Sequence, residues 1–286
     1  MLRGNGLDGG VYLKVHDGRN GKLFLVGVGP GHPRELTPRA KTAILESQVI
    51  VGLKPRIELV RELTKGKEVK LTGTSEEETS SFTGLEREVA WAELAIQEAG
   101  KGKTVALLSA GDAGIYGIAG LVFEMLQRSE EKIEVEVVPG ITALNAAAAR
   151  LGAPLMQDFA TISLSDLLTP WEIITKRLEA AARSDFVIVL YNPRTQQERR
   201  SWQIAEARDI LLKHRSPSTP VGIVNNIGRE NENKALTTLG RMLEHDIGPL
   251  TTIVVGSSST FVHRGRLVTP RGYRGEYSDG KWSRYL

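Results

Sequence analysis

Two patterns of apolar and polar positions alternate along the first half of the chain. Short apolar runs, "LFLVGVG", "VIVG", "EVKL", "TVALLS" and "IEVEVV", have the length and composition of strands. Between them apolar residues recur at helical spacing in "TPRAKTAILESQ", around "PRIELVRELT", in "GLEREVAWAELAIQEAGKG", in "GLVFEMLQR" and in "PGITALNAAAARLG". Pro38 suits the first turn of the first of these helices. Buried strands alternating with helices predict a mostly parallel sheet covered on both faces.

After about residue 156 the alternation starts again. "FATISLSD", "DFVIVLYN", "PVGIVNNI", "KALTTLG", "TTIVVGS" and "RLVTPRGY" read as strands. "PWEIITKRLEAAAR", "TQQERRSWQIAEARDILLKH" and the short "RMLEH" read as helices. The expected architecture is therefore two α/β domains, with mostly parallel or mixed sheets, enclosing an inter-domain cleft as the natural ligand site. The expected boundaries are a glycine-rich leader at 1–21 with a short strand at "VYLKV", an N-terminal domain at 22–156, a C-terminal domain at 157–275 and a polar tail at 276–286. No short repeat is present.

Composition narrows the class. The chain has 286 residues, 41% hydrophobic and 25% charged, enough to bury a core in each of two domains. Lys and Arg total 37 against 34 for Asp and Glu; a net charge of +3 gives no basic field that argues for nucleic acid and leaves anionic small molecules as partners. The absence of cysteine excludes disulfides, thiolate zinc sites, thiolate-held iron–sulfur clusters and cysteine nucleophiles supplied by this chain. The five histidines, at 16, 32, 214, 245 and 263, lack ligand-like spacing, so no protein-bound metal is expected. No apolar stretch reaches the roughly 18 to 20 residues needed to span a bilayer. The opening "MLRGNGLDGG" also lacks the charged-then-apolar order of a signal peptide, so the expected location is cytoplasmic.

Three loops after predicted strands carry the candidate chemistry, where open α/β sheets bind ligands. "GVGPGH" has a Gly-x-Gly spacing, but Pro30 and Gly31 interrupt the dinucleotide fingerprint and no third glycine follows in place. In "SAGDAGIYG", Gly111 and Gly114 permit close backbone approach and Asp112 offers a carboxylate beside loop amides; the alternative is that Asp112 caps the next helix. "PGITALNAAAA" places Thr142 and Ala143 at a helix start, where small residues leave room for an adenine ring or serve close packing.

Taken in order, "GVGPG", "SAGDAGIYG" and "PGITALNAA" resemble the tetrapyrrole methylase family, which transfers methyl from S-adenosylmethionine. The resemblance runs from about Leu23 to Tyr273. The later segments "VLYNPRT", "VGIVNNIGRENE" and "TTIVVGSSST" are similar to the branch that methylates carbon 17 of a precorrin-3B or cobalt-precorrin-3 type ring, with ring contraction, in cobalamin biosynthesis. The resemblance implies that Gly29, Pro30, Ala110, Gly111, Asp112, Ile115, Tyr116, Thr142 and Ala143 contact the donor. Tyr191, Asn225, Asn226, Thr252 and Ile253 fall where the family closes the adenosine pocket.

In relatives that methylate uroporphyrinogen, an acid follows the Gly-Pro-Gly turn and a basic residue lies 22 positions later; here these positions hold His32 and Lys54. An imidazole is able to replace the acid as base near neutral pH. The substrate implied is an anionic tetrapyrrole, for which Arg194, Arg229, His263 and Arg264 are the candidate partners; any cobalt would arrive inside that substrate. A homodimer is the family expectation. Alternatives that the residues leave open are a sister enzyme acting at carbon 11 or 20, a ribosomal RNA methyltransferase of the same fold, and a noncatalytic nucleotide-binding module.

Overall fold

The computed structural model describes residues 21–71, 84–194 and 202–272. The expected leader through residue 20, its strand at "VYLKV", the first residues of "TQQERRSWQIAEARDILLKH" and the polar tail lie outside the described residues. The chain divides into two compact units, Met1–Ile141 and Thr142–Leu286.

In the first unit, strands β1 (Lys22–Gly27), β2 (Val49–Val51), β3 (Glu68–Lys70), β4 (Thr104–Ser109) and β5 (Glu134–Val138) form one sheet in the order β3-β2-β4-β1-β5. Every pairing is parallel. Among the described residues four helices cover it: α1 (Pro38–Glu46), α2 (Lys54–Leu59), α3 (Gly84–Gly100) and α4 (Ala119–Gln127). Because successive strand residues point to opposite faces and both faces are covered, β1 is apolar and buried from Leu23 onward. Phe24 and Val26 pack with Ala40, Ala43 and Ile44 of α1 and Ile57 of α2. Leu23 and Leu25 pack on the other face with Trp91, Ala95 and Ile96 of α3 and Val122 of α4. Helix α1 begins as its sequence predicts, with Pro38 at its start and Thr37 Oγ1 accepting from the Ala40 amide.

The second unit opens with α5 (Ala143–Leu151) and holds a mixed sheet of β7 (Phe159–Ser163), β8 (Val187–Tyr191), β9 (Pro220–Asn225), β10 (Asn233–Thr238) and β11 (Thr251–Val255). Its order is β10-β9-β11-β8-β7; only the β7 and β8 pair is parallel. Helices α6 (Trp171–Arg183) and α7 (Trp202–Leu212) cover one face through Ile174, Leu178, Ile204, Ala207 and Leu211. The two units divide between Ile141 and Thr142, ahead of the 156/157 boundary read from the sequence, because α5 packs on the second sheet: a Cβ on Gly222 of β9 would lie 2.5 Å from a methyl of Leu151. A small third sheet, β6 (Gly152–Ala153) with the hairpin β12 (Phe261–His263) and β13 (Arg266–Val268), completes the unit. Among the described residues no helix is long and apolar enough to cross a membrane.

Candidate functional site

Strands β4, β1 and β5 are neighbours in the first sheet, so the loops leaving their carboxyl ends are neighbours too. Gly29 and Gly111 exchange two backbone hydrogen bonds, Gly29 N to Gly111 O at 3.0 Å and Gly111 N to Gly29 O at 2.8 Å. Both glycines have positive φ, +79° and +64°, a region that side chains disfavour. The third loop closes in behind them: a Cβ on Gly140 would lie 2.1 Å from the Gly111 carbonyl oxygen and 2.7 Å from that of Gly27. Close backbone approach is thus the physical reason for glycine here.

Asp112 ties the second and third loops together. Its Oδ1 accepts from the Gly114 amide at 2.8 Å and its Oδ2 from the Gly140 amide at 2.9 Å. It does not cap α4, whose preceding residue Ile118 makes no side-chain capping bond. Around this clip Ala110, Ile115 and Tyr116 are exposed, whereas Gly29 and Pro30 are buried. Tyr116 itself holds a positive φ of 50°.

At the start of α5, Thr142 makes no capping bond to the helix backbone. The Tyr191 hydroxyl, from the end of β8, takes that place: it accepts from the Leu144 amide at 2.6 Å and pairs with Thr142 Oγ1 at 2.6 Å. Two residues that the sequence comparison sets far apart, Thr142 and Tyr191, are therefore in direct contact. Ala143 follows as the first residue of the helix.

The remaining sequence candidates meet different fates. Asn225 is buried and spent on its own unit: its Nδ2 donates to Asn233 Oδ1 and the Asp246 carbonyl, and its Oδ1 accepts from Thr251 Oγ1. Ile253 packs inside the second core and Thr252 is buried on the same strand, so neither side chain is open to solvent. Asn226 sits at the end of β9 with φ 52°, its amide donating to the Leu250 carbonyl. Arg194 follows β8, Arg229 follows β9, and His263 and Arg264 lie at the β12–β13 hairpin tip, where Arg264 and Gly265 both have positive φ. These four stand on three different loops.

His32 and Lys54 follow the carboxyl ends of β1 and β2 and are both exposed. His32 Nδ1 accepts from the Arg34 amide at 3.1 Å, capping a short 3-10 turn at Pro33–Glu35. An amide N–H only donates, so Nδ1 is the bare nitrogen and the neutral ring carries its hydrogen on Nε2. The sequence reading missed Arg56, whose Nη1 donates to the Leu108 carbonyl at 3.2 Å and whose guanidinium lies over Trp91, 5.5 Å from the ring centroid. Its one sequence signal is position: it stands two residues beyond Lys54, just after β2.

Known proteins resemble this chain over most of its length. The model of the Tetrapyrrole (Corrin/Porphyrin) Methylases matches residues 22–243. A Priestia megaterium protein described as cobalt-factor III methyltransferase is 49% identical over 90% of this chain and 46% of its own length, so the chain spans less than half of that relative. A Salmonella typhimurium protein described as a probable cobalt-factor III C(17)-methyltransferase is 44% identical, over 88% of this chain and 99% of its own. Among solved structures, that of the methyltransferase CobJ superposes with a TM-score of 0.77 at 30% identity, covering 88% of this chain and 100% of that one. With the family model matched over most of its length and a full-length relative this similar, the chain belongs to the tetrapyrrole methylases.

Proposed function

We propose that this chain transfers a methyl group from S-adenosylmethionine to carbon 17 of a cobalt-factor III type tetrapyrrole in cobalamin biosynthesis. The observation that carries the reading is the convergence of three glycine loops, locked by the Gly29–Gly111 bridge and the Asp112 clip, at the carboxyl ends of β1, β4 and β5. The surface they present fits a nucleoside donor. Ile115 and Tyr116, 42% and 55% exposed, offer apolar and aromatic faces beside a carboxylate. That carboxylate spends two of its roughly four acceptor sites on loop amides and keeps the rest for hydroxyl or ammonium groups. Gly29, Pro30, Ala110, Gly111, Asp112, Ile115 and Tyr116 would form the bed, with Thr142 and Ala143 following the third loop.

Bound there, the donor supplies an already electrophilic sulfonium methyl. The work left to the chain is alignment and exclusion of water, since an electron-rich ring carbon needs no protein nucleophile. His32 and Lys54 are the candidates for moving a proton. In the arrangement observed His32 Nδ1 accepts from the Arg34 amide, which leaves Nε2 as the nitrogen turned to other partners. Arg194, Arg229, His263 and Arg264 are carried forward as partners of the substrate's carboxylates, and a cytoplasmic homodimer as the working form. Cobalt belongs to the substrate; the names of both relatives, each written for cobalt-factor III, support the metal-bearing ring.

The test is incubation of the purified chain with methyl-labelled S-adenosylmethionine and, separately, cobalt-factor III, precorrin-3B and their neighbours in ring methylation. One methyl gained on cobalt-factor III, with a ring-contracted absorbance spectrum, is expected. Turnover confined to an earlier or later intermediate would transfer the assignment to a sister enzyme.

A further inference from the structure

We propose that Arg56 is a ligand-binding residue whose guanidinium takes a carboxylate at the carboxyl ends of β2 and β4. The inference rests on the donor-site reading above and adds a residue and a chemical class to it. Arg56 bridges from α2 to the Leu108 carbonyl, the residue before Ser109 and the "AGDAGIYG" loop, so it borders the three-loop assembly. It is partly buried, and one hydrogen bond and one aromatic face are its described contacts.

A guanidinium has five N–H donors in a fork that matches a carboxylate. Only one is used here, and among the described residues no carboxylate is in ion-pair range of Arg56. Burial pushes its pKa below the ordinary guanidinium value, while Glu88 opposes this from a distance. The ring beneath it adds a second donor without an acceptor, because among the described residues the buried Trp91 Nε1 has no partner. A desolvated cation and an orphan donor in one place call for an anion.

Arg215 shows what a purely structural arginine looks like in this protein. It too is buried with its pKa pushed down, yet it donates to the carbonyls of Gly256, Ala181 and Phe186 and lies 3.9 Å from Asp185. Both of its terminal nitrogens are spent on carbonyls at element ends of the second unit, and its Nε is the buried donor left over. The remaining donors of Arg56 are open at the strand ends where the donor loops leave.

Two ligands of the proposed reaction carry carboxylates: the amino-acid end of the methyl donor and the rim of the tetrapyrrole. The experiment compares wild type, Arg56→Lys and Arg56→Gln in the full chain. It measures calorimetric binding of S-adenosylhomocysteine and of 5′-methylthioadenosine, which lacks the carboxylate, then tetrapyrrole binding by absorbance, with melting temperature as control. Arg56→Gln is expected to weaken one carboxylate ligand about ten- to a hundred-fold, the size of a lost charge-assisted bond, with Arg56→Lys in between. A loss for S-adenosylhomocysteine that spares 5′-methylthioadenosine assigns Arg56 to the donor. A loss for the tetrapyrrole alone assigns it to the substrate. Either supports the proposal, whereas binding of every ligand within about twofold of wild type, or equal losses for both nucleosides, overturns it. A wild-type chain that takes up no S-adenosylhomocysteine sinks the donor-site reading, and this inference with it.

Discussion

Asp112 holds two loops with one carboxylate, and removing it separates donor binding from folding. The bond to the Gly140 amide is part-buried and charge-assisted, which places it at about 1.5–3 kcal/mol; the exposed bond to the Gly114 amide adds about 0.5 kcal/mol. Asp112→Ala therefore frees the third loop from the second at a cost of about 2–3.5 kcal/mol. If the ligand must restore that order, the whole cost enters its dissociation constant, an upper bound of about thirty- to three-hundred-fold. Asp112→Asn keeps one acceptor and turns an N–H toward one of the amides, so it falls between wild type and alanine. Calorimetry with S-adenosylhomocysteine reads the effect, and a thermal melt reads the structural part. A chain carrying Asp112→Ala that melts lower but binds the ligand within about twofold of wild type refutes the coupling of this clip to the donor site.

Three further outcomes are expected. Tyr191→Phe removes the hydroxyl that caps α5, and should lower stability in urea by about 0.5–2 kcal/mol, the usual worth of a lost cap. His32→Ala should slow turnover at saturating donor, and His32→Asn, which restores an acceptor for the Arg34 amide, separates the roles: full recovery with Asn assigns His32 to the turn, none assigns it to proton transfer. The buried Glu98 carboxylate receives Lys70, Lys101 and Lys103 at 2.8, 2.6 and 2.6 Å. Burial alone would raise its pKa, but these three bonds outweigh it and bring it to about 2 from 4.5. A carboxyl whose folded pKa is depressed stabilises fully above its unfolded value, so this contribution is lost as pH falls from about 4.5 toward 2. The shift corresponds to at most about 3 kcal/mol, which screening of the partly exposed lysines reduces to about 1–2. Glu98→Gln should flatten the acid limb of a stability profile; an unchanged limb would rule out this cluster as its source.

The elements were legible wherever burial left a continuous mark. β1 and β4 are covered on both faces, and "LFLVG" and "VALL" are apolar without a break. Strands β6 and β12 left no such mark: "GA" is two residues long, and all three residues of "FVH" are exposed, so neither alternates. The boundary near 156 followed a change of rhythm, but α5 belongs with the second sheet because of Gly222, a packing fact that an Ala-rich helix does not announce. Among site residues, the glycines of the three loops could be read because backbone contact demands them. Asn225 and Ile253 could not be placed, since period-two alternation does not tell which strand neighbour or core a side chain meets. Arg56 was invisible for a related reason: its partners, Leu108 and Trp91, are 52 and 35 positions away in the chain.

What the sequence withholds most is strand order, and strand order brings the three loops together. In β3-β2-β4-β1-β5 the adjacent strands β1 and β4 send their chains to opposite faces. The loop after β1 leads to α1, which packs with Phe24 and Val26, whereas the loop after β4 leads to α4, which packs with Leu23 and Leu25. Two loops that part above neighbouring strand ends form the kind of switch at which open α/β sheets bind ligands. The Gly29–Gly111 bridge joins them, and a side chain on either residue would be strained by positive φ. The third loop enters from β5 on the far side of β1, and Asp112 reaches across to hold it. Within "SAGDAGIYG", Gly111 is thus fixed by the bridge to Gly29, Gly117 by the Ala113 and Asp112 carbonyls and the acid by the neighbouring loop, while Ala110, Ile115 and Tyr116 stand exposed beside them.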